Sequence, residues 1–140
     1  MDGVLPDFST LALGPWGALA TMAGMVVLGG VSALAVHEGG HALAALAAGG
    51  RVTSLVCRGL HAAVHAQVPA EHRALFFAAG VAANVVCAAF FGLGPGLWRV
   101  VAGIHLLHAA FALWPERGSD GAQLLELWHA ARARARARTG

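Results

Sequence analysis

The sequence predicts a mainly α-helical, polytopic membrane protein with three transmembrane helices and a short strand pair between the first and the second. Of its 140 residues, 58% are hydrophobic and only 11% are charged, against roughly 25% charged in ordinary soluble domains. No ionisable side chain lies between Asp7 and His37, and that run exceeds the ~20 residues that a spanning helix needs. Two further apolar stretches are also predicted to span: 74–98 has no charged residue, and the only ionisable side chains in 100–115 are His105 and His108.

The first span is predicted over about 15–48. Pro15 is typical of a helix start, and the neighbouring Trp16 is typical of a membrane interface. Gly49 and Gly50 then give a C-terminal stop signal. The run is too long, and its N-terminal flank too acidic, for a cleaved signal peptide.

The segment 51–68 changes pattern and predicts two short strands, as a hairpin or another strand pair. "RVTSLVCRG" and "HAAVHAQV" are rich in β-branched or alternating residues and are separated by Gly59. His61 and His65 fall in the second stretch, where we expect solvated histidines on a polar strand.

The second span is predicted over about 71–92, ended by the tight turn "GLGPG". The third is predicted over about 97–118 and is interrupted at "WPERGSDG". A basic helix or tail follows over 122–140. We expect one domain over 1–140.

The positions of the basic residues predict the orientation of the chain in the membrane. All nine of these residues are arginines. Arg51, Arg58 and Arg73 lie between the first two spans, and a further group follows the third: Arg132, Arg134, Arg136 and Arg138. The positive-inside rule then places the N-terminus outside and the C-terminus in the cytoplasm. The tail is predicted to anchor on anionic lipid headgroups, and no nucleic-acid partner is expected.

The motif "HEGGH" carries three ionisable side chains inside the first span: His37, Glu38 and His41. Histidines four residues apart share one helix face and can bind one metal ion, and the glutamate can act as general base toward water. The alternative is a histidine pair satisfied by hydrogen bonds across helices. Placement in a span favours the metal, because an unpartnered ionisable group costs several kcal/mol in hydrocarbon.

A catalytic zinc takes three protein ligands and leaves a fourth position open. Asp120 in "PERGSDGAQ" is the best candidate for the third, since the proline and glycines there break the helix and let a carboxylate turn inward. Its alternative role is the N-cap of the final helix. His105 and His108 are rival ligands, but we expect them about three or four turns away, toward the other membrane face.

"HEGGH" in the first span, "GVAAN" in the second and "PERGSDG" in the third resemble the site-2 protease family of intramembrane zinc metalloproteases. The resemblance implies one Zn²⁺ per chain, held by His37, His41 and Asp120, with Glu38 as general base. It also implies that Asn84 binds substrate or stabilises the oxyanion. An extended substrate would add to the edge of the strand pair.

The resemblance covers about 26–127 and departs from the family's pattern at two places. The family usually has an asparagine three residues before the proline of the third-helix motif, where this chain has Ala112. The four residues "ERGS" stand where apolar or proline-rich residues are usual. Neither departure removes a ligand or the base.

These features predict a zinc metalloprotease that cleaves membrane proteins or membrane-associated peptides. One alternative is a catalytically inactive membrane scaffold of the same fold that binds a partner. Another is a haem-binding helix bundle that uses His105 or His108 with His37 or His41.

Overall fold

The computed structural model describes residues 14–59 and 61–139. The elements in chain order are α1 (Pro15–Ala47), β1 (Arg51–Arg58), β2 (His61–Gln67), a 3₁₀ turn (Ala70–His72), α2 (Arg73–Gly92), α3 (Trp98–Leu113) and α4 (Asp120–Ala137). The prediction of a mainly helical fold with one strand pair is confirmed. The domain predicted over 1–140 also includes 1–13, 60 and 140, which lie outside the described residues.

Helix α1 is 33 residues long, about 50 Å at 1.5 Å per residue. It ends close to the predicted residue because Gly49 adopts a positive φ of 72° and the Gly50 N–H donates to the Ala45 carbonyl at 2.9 Å, a glycine-terminated helix end. Five of its buried residues recur at intervals of four: Gly29, Ala33, His37, His41 and Ala45. The two motif histidines therefore lie on the inward-facing stripe of the helix.

Helices α2 and α3 pack against this stripe, and each buries a row of residues that includes glycine or alanine. Buried positions recur at intervals of four on α2, at Gly80, Asn84 and Ala88, and on α3, at Val101, His105 and Ala109. Small residues let helix backbones approach closely. The narrow core they form encloses four polar side chains: His37, His41, Asn84 and His105.

Strands β1 and β2 form an antiparallel hairpin that runs from the pair Arg51–Gln67 to the pair Arg58–His61. An irregularity between Val52 and Ser54 shifts the register. Strand β2 makes the more extensive contact with α1. The predicted strand pair is thus confirmed as a hairpin, and it lies beside the end of α1 that carries the histidines.

The third helix is shorter than predicted. It ends at Leu113 instead of continuing to about residue 118, because Trp114 takes an extended conformation before Pro115. With 16 residues, α3 measures about 24 Å, so three membrane-spanning helices are not established. The chain restarts at α4 with Ser119 as the N-cap, its hydroxyl accepting from the Ala122 N–H at 3.2 Å.

Two helices in the described part of the chain are long and apolar enough to cross a membrane, Pro15–Ala47 and Ala70–Gly92. Only 11% and 22% of their most apolar windows are buried within the protein. Large apolar side chains such as Val27 and Phe90 are mostly exposed, at 65% and 72%. The core helix of a soluble protein buries such residues, whereas here they lie on the outer surface of the described structure.

Candidate metal centre

Three side chains that the sequence singles out as candidate ligands meet in the structure. The Nε2 atoms of His37 and His41 are 3.1 Å apart, and Asp120 Oδ2 lies 3.0 Å from the first and 3.2 Å from the second. All three side chains are largely buried. Two imidazole nitrogens and one carboxylate oxygen thus form a near-equilateral triangle, a cluster that could hold a metal ion.

Asp120 reaches this cluster from the first turn of α4. That helix begins so close to the end of α3 that a Cβ on Gly121 would collide with the Leu113 carbonyl oxygen. Glycine at this position lets the chain turn back immediately, which brings the carboxylate to α1. Asp120 is the first residue of α4, and the N-cap of this helix is Ser119. The alternative role of Asp120 as N-cap is therefore excluded.

Asp120 Oδ2 lies at hydrogen-bonding distance from both imidazoles, but the angles are not those of hydrogen bonds, and this buried oxygen has no hydrogen-bond partner. An unpaired buried polar atom is costly and is typical of a site that accommodates an ion. Burial raises the pKa of the Asp120 carboxyl, but the neighbouring His37 and His41 rings lower it by more, to below its ordinary value.

The orientation of His41 also suits a metal ligand. Its Nδ1 lies 2.7 Å from the Phe76 backbone carbonyl on α2. Since a carbonyl only accepts, Nδ1 carries the hydrogen and donates it, which leaves the lone pair on Nε2 directed into the cluster. Metal-ligating histidines in proteins usually donate their other ring N–H in this way.

Glu38 is not part of the triangle and is held beside it by the hairpin. Its Oε2 accepts the Val64 backbone N–H of β2 at 2.7 Å. Glu38, the three cluster residues and β2 together line one cleft of about 470 Å³. The structure thus places the Glu38 carboxylate in the same cleft as the cluster, although Glu38 is not one of the three clustered residues.

The cleft has mixed walls. Aromatic rings from α2 and α3 contribute apolar surface, and β2 contributes a strand face: Phe76, Phe77, Phe111 and residues 61–65. Ala112, where the resembled family has an asparagine, also lines it. His61 and His65 are exposed on β2, as expected, yet both face this cleft.

Asn84 lies behind the cluster and is fully buried. Its side-chain amide is 3.4 Å from His37 Nδ1 and 2.8 Å from His105 Nδ1. The amide thus bridges two histidines of different helices.

The predicted position of His108 is wrong, whereas His105 is a buried residue that contacts α1 and α2. The His108 ring centroid lies 5.0 Å from that of His37, and His108 lines the cleft. The prediction counted turns along a helix that continued to residue 118. The chain instead turns back after Leu113, so Asp120 returns to the level of the α3 histidines. The sequence signal that could have shown this is Pro115, which forces the preceding residue out of helix.

Comparison with known proteins identifies no relative of this chain. No protein-family model matches it, no curated protein matches it, and no solved structure matches it. Its function must therefore be inferred from its own residues and their geometry.

Proposed function

We propose that this chain is an intramembrane zinc metalloprotease. The observation that carries the proposal is the triangle of His37 Nε2, His41 Nε2 and Asp120 Oδ2, with edges of 3.0 to 3.2 Å. Tetrahedral zinc with ligands at about 2.0–2.1 Å has ligand atoms about 3.3–3.4 Å apart. The side chains are therefore already close to the spacing that one zinc ion demands.

The chemistry of the donor set also supports zinc. Two imidazoles and one carboxylate are a known catalytic zinc set, with a fourth position left for water or substrate. Magnesium and calcium prefer oxygen ligands, so two ring nitrogens disfavour them. One zinc per chain is the occupancy that the cluster supports.

Each residue near the cluster has a role in peptide hydrolysis. When bound, zinc polarises the scissile carbonyl and lowers the pKa of the attacking water. Glu38 accepts the proton of that water and delivers it to the leaving amine. The hydrogen bond from Val64 holds the Glu38 carboxylate at the wall of the cleft that the cluster also lines.

The substrate is an extended segment of a membrane protein or of a membrane-associated peptide. Strand β2 is paired only with β1 in the described residues, and its other edge faces the cleft through the Val64–Glu38 contact. An extended chain can add to such an edge by backbone hydrogen bonds. A transmembrane helix must first unwind, since a helical backbone engages its own carbonyls.

The site is proposed to lie near the cytoplasmic face of a multi-pass membrane protein. His37 is about 33 Å along α1 from Pro15, against ~30 Å for the hydrocarbon core of a bilayer. Arg51 follows directly after the end of α1 that carries His37. Arg134 of α4 lines a pocket with Glu71, just before α2. The exposed arginines of α4 suit contact with anionic headgroups.

Reporter fusions test this placement. A reporter before Met1 and one inserted at Gly96, in the turn between α2 and α3, should both read external. One after Gly140 should read cytoplasmic, because the arginine-rich segments stay inside. Alkaline phosphatase and fluorescent-protein activities in cells report the two sides. Finding both termini on one side would contradict the three-span arrangement.

A substitution at Gly80 tests how closely α2 confines the ligands. A Cβ at this position would lie 2.6 Å from His41 Nε2 and 2.9 Å from His37 Nδ1. Gly80→Ala should therefore displace the rings and lower zinc affinity by about 10-fold or more, as disturbed ligand support does elsewhere. Gly103→Ala is the matched control, because its Cβ would meet nothing within 4 Å. Equal zinc affinity in the two variants would contradict the close contact.

A partner-binding scaffold that lacks activity is the second candidate. Ala112 favours it, because this residue lines the cleft where the resembled family presents an amide. The two candidates differ in catalysis alone, so a cleavage assay separates them. Detergent-purified protein would be incubated with a panel of single-span proteins, with and without a zinc chelator. New product termini identified by mass spectrometry would establish a protease, and their absence across the panel would favour the scaffold.

A further inference from the structure

A chain of polar side chains crosses the bundle core behind the metal cluster. Ser32 Oγ lies 3.1 Å from His105 Nε2, His105 Nδ1 lies 2.8 Å from the Asn84 amide, and that amide lies 3.4 Å from His37 Nδ1. Both His105 and Asn84 have 0% exposure. Four side chains from three helices are thus connected, and none of the roles proposed above uses His105 or Ser32.

Metal binding by His37 restricts how hydrogens are placed along this chain. If Nε2 of the neutral ring binds the metal, Nδ1 carries the hydrogen and needs an acceptor. Among the described residues the hydrogen-bond partner of Nδ1 is the Asn84 amide, so its oxygen must face His37. In the structure the amide nitrogen faces His37, and a half-turn of the amide exchanges its oxygen and nitrogen in place.

With the amide oxygen toward His37, each contact along the chain has one donor and one acceptor. The Asn84 amide N–H donates to His105 Nδ1, and His105 Nε2–H donates to Ser32 Oγ. The Ser32 hydroxyl then donates to the Gly29 carbonyl, 3.0 Å away.

The opposite orientation does not suit a metal at His37. His105 Nδ1 would then donate to the amide oxygen, and the Ser32 hydroxyl would turn from the Gly29 carbonyl to donate to His105 Nε2. His37 Nδ1 would accept from the amide, which places the ring hydrogen on Nε2, where the metal has to bind.

We propose that His105 is a positioning residue for the metal site. Together with Ser32 it orients the Asn84 amide, and the amide oxygen in turn sets the His37 tautomer whose Nε2 binds the metal. The inference rests on the metal site proposed above but not on proteolysis. It assigns Asn84 to the support of His37, in keeping with its complete burial.

Zinc affinity in purified protein, measured by competition with a chromophoric chelator, tests the relay. Asn84→Leu and His105→Leu should each weaken zinc binding by about 10- to 100-fold, the usual effect of losing a group that orients a ligand. Val101→Ala is the matched control, since Val101 is buried at 1% exposure one turn before His105. It should lower thermal stability and leave zinc affinity unchanged.

A double-mutant comparison distinguishes orientation from general packing. Aspartate at position 84 accepts through either oxygen, so His37 would no longer depend on how that side chain is turned. Asn84→Asp should therefore retain zinc, and adding His105→Leu to it should cost little further affinity. If His105 had only a structural role, His105→Leu would lower zinc affinity by the same factor in the unmutated protein and in Asn84→Asp.

Nitrogen NMR of zinc-loaded, ¹⁵N-histidine-labelled protein at pH 8 gives a readout independent of affinity. His105 should carry its hydrogen on Nε2 and leave Nδ1 unprotonated. A hydrogen on Nδ1, or full zinc affinity in His105→Leu, would overturn the relay and leave the metal site intact. Absence of zinc binding by the unmutated protein would overturn both the relay and the proposed function.

Discussion

Alanine at His37 or at His41 is expected to remove most of the zinc from the purified protein, from about one ion per chain to a small fraction of that. Each imidazole supplies one corner of a three-atom cluster, and two remaining ligands do not hold zinc firmly. Metal analysis by inductively coupled plasma mass spectrometry measures the loss. His129→Ala is the matched control, because His129 is exposed on α4 and should leave the zinc content unchanged.

The third ligand is tested in the same series. Asp120→Asn should lose metal and activity together, because a neutral amide is a poor zinc ligand. His108 is the informative comparison, since its ring lies 5.0 Å from His37. If Asp120→Asn kept its zinc while His108→Ala lost it, the third ligand would be misassigned. If the double mutant of His37 and His41 kept its zinc, the site itself would be wrong.

Glu38→Gln is expected to abolish most cleavage while leaving the zinc and the fold in place. The amide oxygen of glutamine can still accept the Val64 N–H that now binds Glu38 at 2.7 Å, so the hairpin should remain docked. An amide cannot accept the proton of the attacking water, and loss of a positioned base costs roughly 10² to 10⁴ in rate.

The measurement combines metal content, thermal stability and the initial rate on one accepted substrate. Glu126→Gln is a suitable control, since Glu126 is an exposed glutamate of α4 and its loss should not alter the rate. Undiminished cleavage by Glu38→Gln would refute the hydrolytic mechanism even with zinc bound. Loss of zinc in the same variant would instead indicate that Glu38 is a ligand.

Local chemistry in the sequence was sufficient to predict much of this site. Spacing of four placed His37 and His41 on one helix face, and the break at "PERGSDG" indicated that Asp120 could turn inward. Pro15 and Gly49 marked the two ends of α1. Each of these predictions depends on interactions within a few residues, which one sequence displays directly.

The relative positions of the helices along their axes could not be predicted from the sequence in the same way. They depend on how small residues of three helices fit together and on the close approach of Gly121 to Leu113. His108 was therefore placed too far from the cluster. The contact between Asn84 and His105 was not foreseen either, because a polar pair on two helices leaves no pattern along either one.

The short α3 has a consequence for the lipid around it, in the membrane placement proposed here. At about 24 Å it falls about 6 Å short of a typical hydrocarbon core, while α1 exceeds that thickness. Such hydrophobic mismatch is relieved by local thinning of the bilayer, at fractions of a kcal/mol per Å. The thinning would fall beside Phe111 and His108, which line the cleft. If the proposed protease activity is correct, headgroups and water would be drawn toward the substrate peptide bond, and acyl-chain length would affect the cleavage rate.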